Sequence, residues 1–387
     1  MWLDSSSNGR GKVISKKCRV LIAGGGTAGH VIPAVSIAQT LLENEILRDI
    51  DEVHFVGSKR GVGKELVTEA GFGLTILPGR GIERKLSLQN LFSIILLCAA
   101  LFKAGLLMIK TKPEVIVIMG GYASLACGLA GKLFTIPLVV AEQNSVPGST
   151  NKILSRFAEV SAISFDGVDL PRAVMTGNPL RREILNFLDE GSREESRRKL
   201  EVGAQVVITV FGGSLGARRI NEAVFDLAQQ WTGRNICIFH VFGKRDWLHF
   251  SEQNFRASEK VDYRMFEYVK DMTELLGASD LVICRSGATT VSEITALGIP
   301  SILIPLPNSP GDHQTENAKY FESRSSAVLL PDVELDSFSL ARKISHLLEN
   351  DKQLAEMSDN AKSLARLDAS EEVGNLVAEI IKKGSYA

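Results

Sequence analysis

The 387-residue chain is predicted to be an α/β protein made of two doubly wound halves, each a parallel sheet with helices on both faces. Three observations predict this. Apolar, β-branched runs recur along the whole length with helical stretches between them, the pattern of parallel strands joined by crossovers. Two glycine-rich loops, Gly24-Gly-Gly-Thr-Ala-Gly-His30 and Gly212-Gly-Ser-Leu-Gly-Ala217, stand far apart in the chain. Each follows an apolar run and leads into a helix, an arrangement that turns backbone N–H groups and a helix dipole toward an anion. Two such loops imply two phosphate-cradling halves facing one cleft.

In the first half the strand-like runs are Cys18-Arg-Val-Leu-Ile-Ala23, Glu52-Val-His-Phe-Val56, Gly73-Leu-Thr-Ile-Leu77, Val115-Ile-Val-Ile-Met119 and Pro137-Leu-Val-Val-Ala141. The second half repeats the scheme with Gln205-Val-Val-Ile-Thr-Val-Phe211, Ile236-Cys-Ile-Phe-His-Val-Phe242, Asp280-Leu-Val-Ile-Cys284, Ser301-Ile-Leu-Ile-Pro305 and Ala327-Val-Leu-Leu330. Helices are expected after each glycine cluster, from Pro33 to Glu45 and from Arg218 to Gln230, and a charged one from Arg193 to Leu200. Thr176-Gly-Asn-Pro-Leu-Arg181 interrupts regular structure and marks the boundary: a tail over 1–17, a first domain over 18–176 and a second over 177–364. In open α/β sheets ligands bind beyond the carboxyl ends of the strands, so the glycine turns there, including Gly120-Gly121 and Ser286-Gly287, should face the ligand.

Composition excludes some functions. Lys and Arg total 44 against 45 Asp and Glu, so a net charge of −1 gives no overall pull toward nucleic acid. Cys18, Cys98, Cys127, Cys237 and Cys284 have no CxxC spacing and read as reduced core thiols. The six histidines form no ligand pair with metal spacing, and no acidic pair follows a strand to hold a metal-bound diphosphate. Neither a metal nor a cofactor is therefore expected. The first loop satisfies GxGxxG, but the second strand runs from Val56 into Gly57-Ser58 with no acid to hold a dinucleotide's ribose. A Walker loop fails too, because Lys64 is followed by Glu65 rather than Ser or Thr.

Leu91 to Ile109 is apolar enough to suggest a membrane span, interrupted by Lys103; a helix buried against a sheet is the alternative. Just upstream, Arg80, Arg84 and Lys85 interleave with Ile82, Leu86, Leu88 and Phe92, a mixture suited to anionic lipid headgroups or to a solvated loop.

Three positions carry candidate chemistry. His30 ends the first loop at a helix start, where imidazole can take a proton from a hydroxyl; capping its own helix is the alternative. Glu293 follows the turn Cys284-Arg-Ser-Gly-Ala-Thr-Thr290 and could grip vicinal ribose hydroxyls, although Thr290-Val-Ser-Glu293 also has capping-box spacing. Asp312-His-Gln-Thr-Glu-Asn317 follows a proline-rich loop and offers amides to a sugar or a base.

These residues fall into ordered blocks: GGGTAGHVIPA, GGYASL, AEQNSVPG, GNPLR, GGSLGA, and CRSGATTVSE with DHQTENA downstream. From about Arg19 to the last helix the chain resembles the MurG family. These transferases move N-acetylglucosamine from UDP-N-acetylglucosamine onto undecaprenyl-pyrophosphoryl-N-acetylmuramoyl-pentapeptide, lipid I, in peptidoglycan synthesis. The resemblance implies a GT-B architecture, two Rossmann-like domains with a cleft between them, and a C-terminal helix of about 365–387 returning to the first domain.

It further implies that Glu293 binds ribose, that the turn of Ala288, Thr289, Thr290, Val291 and Ser292 meets the diphosphate with Ser214, that Val269 meets the uracil edge and that Gln314 meets the sugar. Arg181 from the hinge and Asn144 from the first domain would complete the donor pocket. Thr27, Ala28 and Gly29 would meet the acceptor's pyrophosphate and the transferring sugar, and His30 would be the base for the acceptor's 4-hydroxyl, inverting the anomeric carbon without metal. The basic and apolar stretch from Arg80 to Phe92 then becomes a peripheral contact with the cytoplasmic leaflet, near other wall-synthesis proteins. Leu215 stands where many members carry Gln, Ala141 where many carry His, and Ala28 where many carry Gly, which requires a negative φ at Ala28. A GT-B enzyme acting on another lipid acceptor such as diacylglycerol, a UDP-sugar epimerase, and a non-catalytic nucleotide-sugar-binding subunit are the competing readings.

Overall fold

The computed structural model describes residues 18–58, 63–79, 88–203, 205–213 and 215–384. The strands are β1 (Val20–Gly24), β2 (Val53–Ser58), β3 (Gly73–Leu77), β4 (Val115–Gly120), β5 (Leu138–Glu142), β6 (Val160–Ile163) and β7 (Ala173–Met175), then β8 (Val206–Phe211), β9 (Ile236–Val241), β10 (Val261–Phe266), β11 (Leu281–Cys284), β12 (Ser301–Leu303) and β13 (Ala327–Leu329). They form a seven-stranded sheet of order β3-β2-β1-β4-β5-β6-β7 and a six-stranded sheet of order β10-β9-β8-β11-β12-β13. β1 pairs in parallel with both β2 and β4, and β8 with both β9 and β11. Both sheets are thus Rossmann-like. In each, the first strand sits where the winding reverses, the place where doubly wound sheets bind ligands.

Residues Glu142–Gly148 and Ala162–Glu372 form one compact unit; the chain before Glu142, Ser149–Ser161 and the stretch from Val373 form the other. The long last helix, Ala369–Gly384, accordingly starts in one unit and ends in the other. In the first unit a Cβ on its Gly374 would lie 3.8 Å from Leu41.

The central strands are buried on both sides, which explains their unbroken apolar runs: Val20–Ala23 and Val115–Met119 are inaccessible to solvent. Three strands lie outside the runs read from sequence: β6, β7 and β10. The first helix begins at Ala28 rather than Pro33, which lies inside it. Helical geometry gives Ala28 the negative φ its methyl group requires. The buried face of that helix carries Val31, Ala34, Ile37, Ala38 and Leu41, the spacing of an amphipathic helix on a sheet.

All five cysteines are free; four are buried, and Cys98 is exposed, contrary to the core position expected for it. Burial pushes the thiols of Cys18 and Cys127 up to about 12, far from the reactive thiolate. Among the described residues no helix is long and apolar enough to cross a membrane.

Candidate functional site

In the first unit, β1 and β4 run in register until Ala23, where a shift sets Gly24 against Gly120. Both chains turn there through glycines, and the turns pack backbone on backbone. A Cβ on Gly121 (φ 84°) would come within 2.8 Å of the Gly25 Cα. His30 occupies the room these glycines leave. Its Nδ1 would lie 3.1 Å from a Cβ on Gly25, and its Nε2 3.1 Å from a Cβ on Gly120 (φ 112°). The imidazole thus lies against two stretches of bare backbone, and larger residues at either position would displace it.

His30 is the third residue of helix Ala28–Glu43 and is half-buried. Thr27 is the N-cap, yet its side chain makes no cap bond; its hydroxyl lies 3.0 Å from His30 Nδ1 instead. This ring nitrogen thus meets a side chain rather than a backbone N–H of its own helix. When Nδ1 donates its proton to Thr27 Oγ1, Nε2 keeps a lone pair and can act as a base. Ala28 and Gly29, with Thr27, line the positive end of the helix dipole, where negative charge is stabilised.

In the second unit, Glu293 is buried on helix Ala288–Ala296. That helix starts five residues before Glu293, with Gly287 as its N-cap, so the predicted turn of Ala288, Thr289, Thr290, Val291 and Ser292 is helical. The capping-box alternative for Thr290 and Glu293 fails with it. The carboxylate is instead held by Arg181, whose Nε and Nη2 donate to its two oxygens at 2.5 and 2.6 Å. Burial works against charge on Arg181, but the Glu293 pairing outweighs it and holds the guanidinium above its ordinary value. Two parallel bonds fix the plane of the carboxylate, and its remaining lone pairs can take two neighbouring hydroxyls.

A polar chain surrounds the start of this helix. Gln314 on helix His313–Glu322 accepts at Oε1 from the Leu306 N–H at 2.9 Å, and its carbonyl accepts from Ser286 Oγ at 2.8 Å. Asn317 accepts at Oδ1 from the Ser145 N–H (2.9 Å) and hydroxyl (2.8 Å) and donates to the carbonyl of Ser286 at 3.1 Å. Asn317 also donates to Asn144 Oδ1 at 3.3 Å, while the N–H of Asn144 donates to buried Glu142 at 3.0 Å. Asn144, expected from the first domain, thus belongs to the second unit. Val269 is half-buried beyond the end of β10 and packs against the core that includes Val207, Phe239 and Leu275.

The second glycine loop leads into helix Arg218–Gln230. Ser214 lies outside the described residues, and its neighbour Leu215 is exposed at 63%. Gly213 and Gly216 both have positive φ, 97° and 89°. Sequence reasoning did not single out Asp246, which is fully buried beside this loop; the run Gly243-Lys-Arg-Asp246 after β9 was the available signal. Burial works against its charge, but Arg245 and Arg218 outweigh this and hold the carboxyl below its usual range.

Arg80, Ile82, Arg84, Lys85 and Leu86 lie outside the described residues, and Phe92 falls in helix Leu88–Thr111 without a described side chain. Further along that helix Ile95, Phe102, Leu106 and Ile109 are exposed, as are Leu133 and Phe134 at the end of helix Tyr122–Leu133. Among the described residues no group of three or more His, Cys, Asp or Glu side chains converges to hold a metal ion.

Residues 20–163 match the glycosyltransferase family 28 N-terminal domain and residues 207–373 its C-terminal domain. The chain is 35% identical over 370 residues to the UDP-N-acetylglucosamine--N-acetylmuramyl-(pentapeptide) pyrophosphoryl-undecaprenol N-acetylglucosamine transferase of Thermoanaerobacter sp. (strain X514), covering 94% of this chain and 100% of that one. The enzyme of the same name from Syntrophus aciditrophicus (strain SB) is 37% identical over 366 residues, covering 92% and 96%. Among solved structures, Acinetobacter baumannii MurG superposes with a TM-score of 0.72 at 26% identity, covering 93% of this chain and 99% of that one. The UDP-GlcNAc 2-epimerase of Neisseria meningitidis, bound to UDP-GlcNAc, shares the fold with a TM-score of 0.61 at 13% identity, covering 94% and 100%.

Proposed function

The chain belongs to glycosyltransferase family 28 and, within it, to the UDP-N-acetylglucosamine--N-acetylmuramyl-(pentapeptide) pyrophosphoryl-undecaprenol N-acetylglucosamine transferases, and from that premise we propose how its residues carry out the transfer. The enzyme moves N-acetylglucosamine from UDP-N-acetylglucosamine to the 4-hydroxyl of the N-acetylmuramoyl group of lipid I, forming lipid II. The observation that carries the assignment of chemistry is His30, seated on two glycine turns with Nδ1 at 3.0 Å from the Thr27 hydroxyl.

In this reading Thr27 accepts the Nδ1 proton and fixes the tautomer, and Nε2 takes the proton of the acceptor hydroxyl. The oxygen attacks the anomeric carbon from the face opposite UDP, which inverts it to the β-1,4 link with no covalent enzyme intermediate. Thr27, Ala28 and Gly29 hold the acceptor's pyrophosphate at the helix start. Glu293, with its plane set by Arg181, takes the ribose hydroxyls of the donor. Ala288, Thr289, Thr290, Val291 and Ser292, with Ser214, receive the diphosphate; Val269 meets uracil, Gln314 meets the sugar, and Asn144 completes the donor pocket. Amides fixed in place before the reaction stabilise the departing UDP more than the bound donor, as a leaving group gaining negative charge requires.

The lipid-linked acceptor places the enzyme at the cytoplasmic face of an anionic membrane, bound peripherally. Exposed Phe102, Leu106, Leu133 and Phe134, with Lys110, Lys112 and Lys132 nearby in sequence, support a mixed apolar and basic contact in addition to the stretch from Arg80 to Phe92.

The test is incubation of the purified chain with labelled UDP-N-acetylglucosamine and, in parallel, a short-chain lipid I analogue or a diacylglycerol, without added metal. Disaccharide product from the lipid I analogue alone is expected. Product from diacylglycerol alone, or an epimerised sugar with UDP and no acceptor product, would overturn the reading in favour of another family.

A further inference from the structure

The second glycine loop is held from one side by a charged cluster outside the residues assigned above. β9 is followed by Phe242-Gly-Lys-Arg-Asp246, and the backbone of this turn packs directly on the loop. A Cβ on Gly243 would fall 2.2 Å from the Gly216 amide nitrogen, and one on Gly216 would fall 2.1 Å from the Phe242 carbonyl oxygen. Two backbones in contact leave no room for an independent loop position.

Asp246 closes the arrangement. Its carboxylate is inaccessible to solvent and accepts from Arg218 Nε at 3.1 Å, Arg245 Nε at 3.0 Å, Arg245 Nη2 at 3.1 Å and Asn221 Nδ2 at 3.1 Å. Asn221 is oriented in turn: its Nδ2 also donates to the Phe242 carbonyl at 3.0 Å, and its Oδ1 lies 3.1 Å from His240 Nε2. The Tyr263 hydroxyl lies 2.6 Å from His240 Nδ1. Arg245 Nη2 further donates to the Gly216 carbonyl at 3.3 Å, joining the cluster to the loop itself.

Charge does not balance here. Two guanidiniums share one carboxylate, leaving a surplus positive charge, while the Arg218 and Arg245 side chains keep 38% and 56% of their surface exposed. A carboxylate serving only to neutralise a surface arginine has no reason to be fully buried and bonded on every side; one that must hold two guanidiniums in place does.

We infer that Asp246 is a positioning residue that holds Arg218 and Arg245 beside the second glycine loop, where their surplus positive charge offsets the donor's diphosphate. The inference depends on the second unit being the donor site, and it names what meets the leaving group's charge in addition to backbone amides. Guanidiniums held before the donor arrives need no reorganisation as the bond breaks.

Binding of UDP and of uridine to the full chain, measured by calorimetry, separates the diphosphate's contribution from that of the nucleoside. For Arg245→Gln, an exposed position, UDP affinity should fall about tenfold, as for loss of a charge-assisted contact, with uridine affinity and Tm unchanged. Arg245→Lys should recover part of the loss. Asp246→Asn makes the cluster one charge more positive, so a carboxylate that merely neutralised would leave UDP tighter; positioning predicts that UDP binds more weakly. Equal weakening of UDP and uridine in Arg245→Gln, no change in either, or tighter UDP binding by Asp246→Asn overturns the inference. Wild-type protein that binds uridine and UDP equally overturns it too, while failure to bind either overturns the donor reading itself.

Discussion

The two glycine loops are built on the same plan, strand, glycines and helix, but their surroundings differ in kind. The first is packed against another glycine turn, and its distinctive side chain is a half-buried imidazole beside a threonine hydroxyl. The second is packed against a turn carrying Lys244, Arg245 and Asp246 and is tied through Arg218 and Asn221 into a buried polar chain. An imidazole oriented by a neighbouring hydroxyl suits proton transfer. A dense ionic lattice fixes geometry and charge, which suits holding a charged leaving group. One loop motif thus sits in two different settings, and the residues packed on it, more than its glycines, set them apart.

Mutation can break this contrast. The largest effect is expected for His30→Ala: turnover should fall about 10²- to 10⁴-fold, the range for loss of a general base, with donor affinity unchanged. Steady-state kinetics with the donor varied check this, and a Gly25→Ala variant, whose Cβ would lie 3.1 Å from His30 Nδ1, should lose turnover in the same way without losing donor affinity. In the second unit, Glu293→Gln should weaken UDP binding about ten- to a hundredfold, because it removes a charge-assisted contact and leaves Arg181 without its carboxylate. Calorimetry reads that loss directly, and unchanged affinity would remove Glu293 from the donor site.

Gly216→Ala sharpens the structural half of the contrast. The substitution forces alanine to φ 89° with its Cβ 2.1 Å from the Phe242 carbonyl, so a cost of about 1–3 kcal/mol and a lower Tm are expected. A further effect concerns acid. His240 is buried beneath the second loop and its pKa is pushed by burial from 6.5 down to about 3, so the folded chain keeps it neutral while the unfolded chain protonates it near 6.5. Its contribution to stability is therefore full above pH 6.5 and is lost as pH falls toward 3. Thermal melts between pH 7 and 4 should show Tm dropping, with a shallower drop in His240→Gln; equal slopes would contradict this.

Most of the sheet was legible because buried parallel strands are apolar on both faces, as in Val206–Phe211 and Val115–Gly120. β7 was not, being three residues between turns, whereas the alternation in Val261-Asp-Tyr-Arg-Met-Phe266 does carry the period of a half-buried strand. Pro33 misled the helix start, since proline favours the first turn but here falls inside the helix. In the site, His30 and Glu293 were visible as reactive groups next to turns. Arg181 as the partner of Glu293 was not, because the two are 112 residues apart and no local pattern records a tertiary ion pair. Asp246 was hidden for a related reason: Gly-Lys-Arg-Asp reads as a solvated turn, and its burial comes from packing on a loop thirty residues earlier.

The central claim is that the first loop performs proton transfer while the second unit holds the donor. The measurement that tests it most directly is turnover with the lipid I analogue together with UDP-N-acetylglucosamine affinity, for wild type, His30→Ala and Glu293→Ala under one set of conditions. The account predicts that His30→Ala loses turnover and keeps donor affinity, and that Glu293→Ala loses donor affinity first. A His30→Ala enzyme with near wild-type turnover, or one whose defect lies wholly in donor binding, would contradict it.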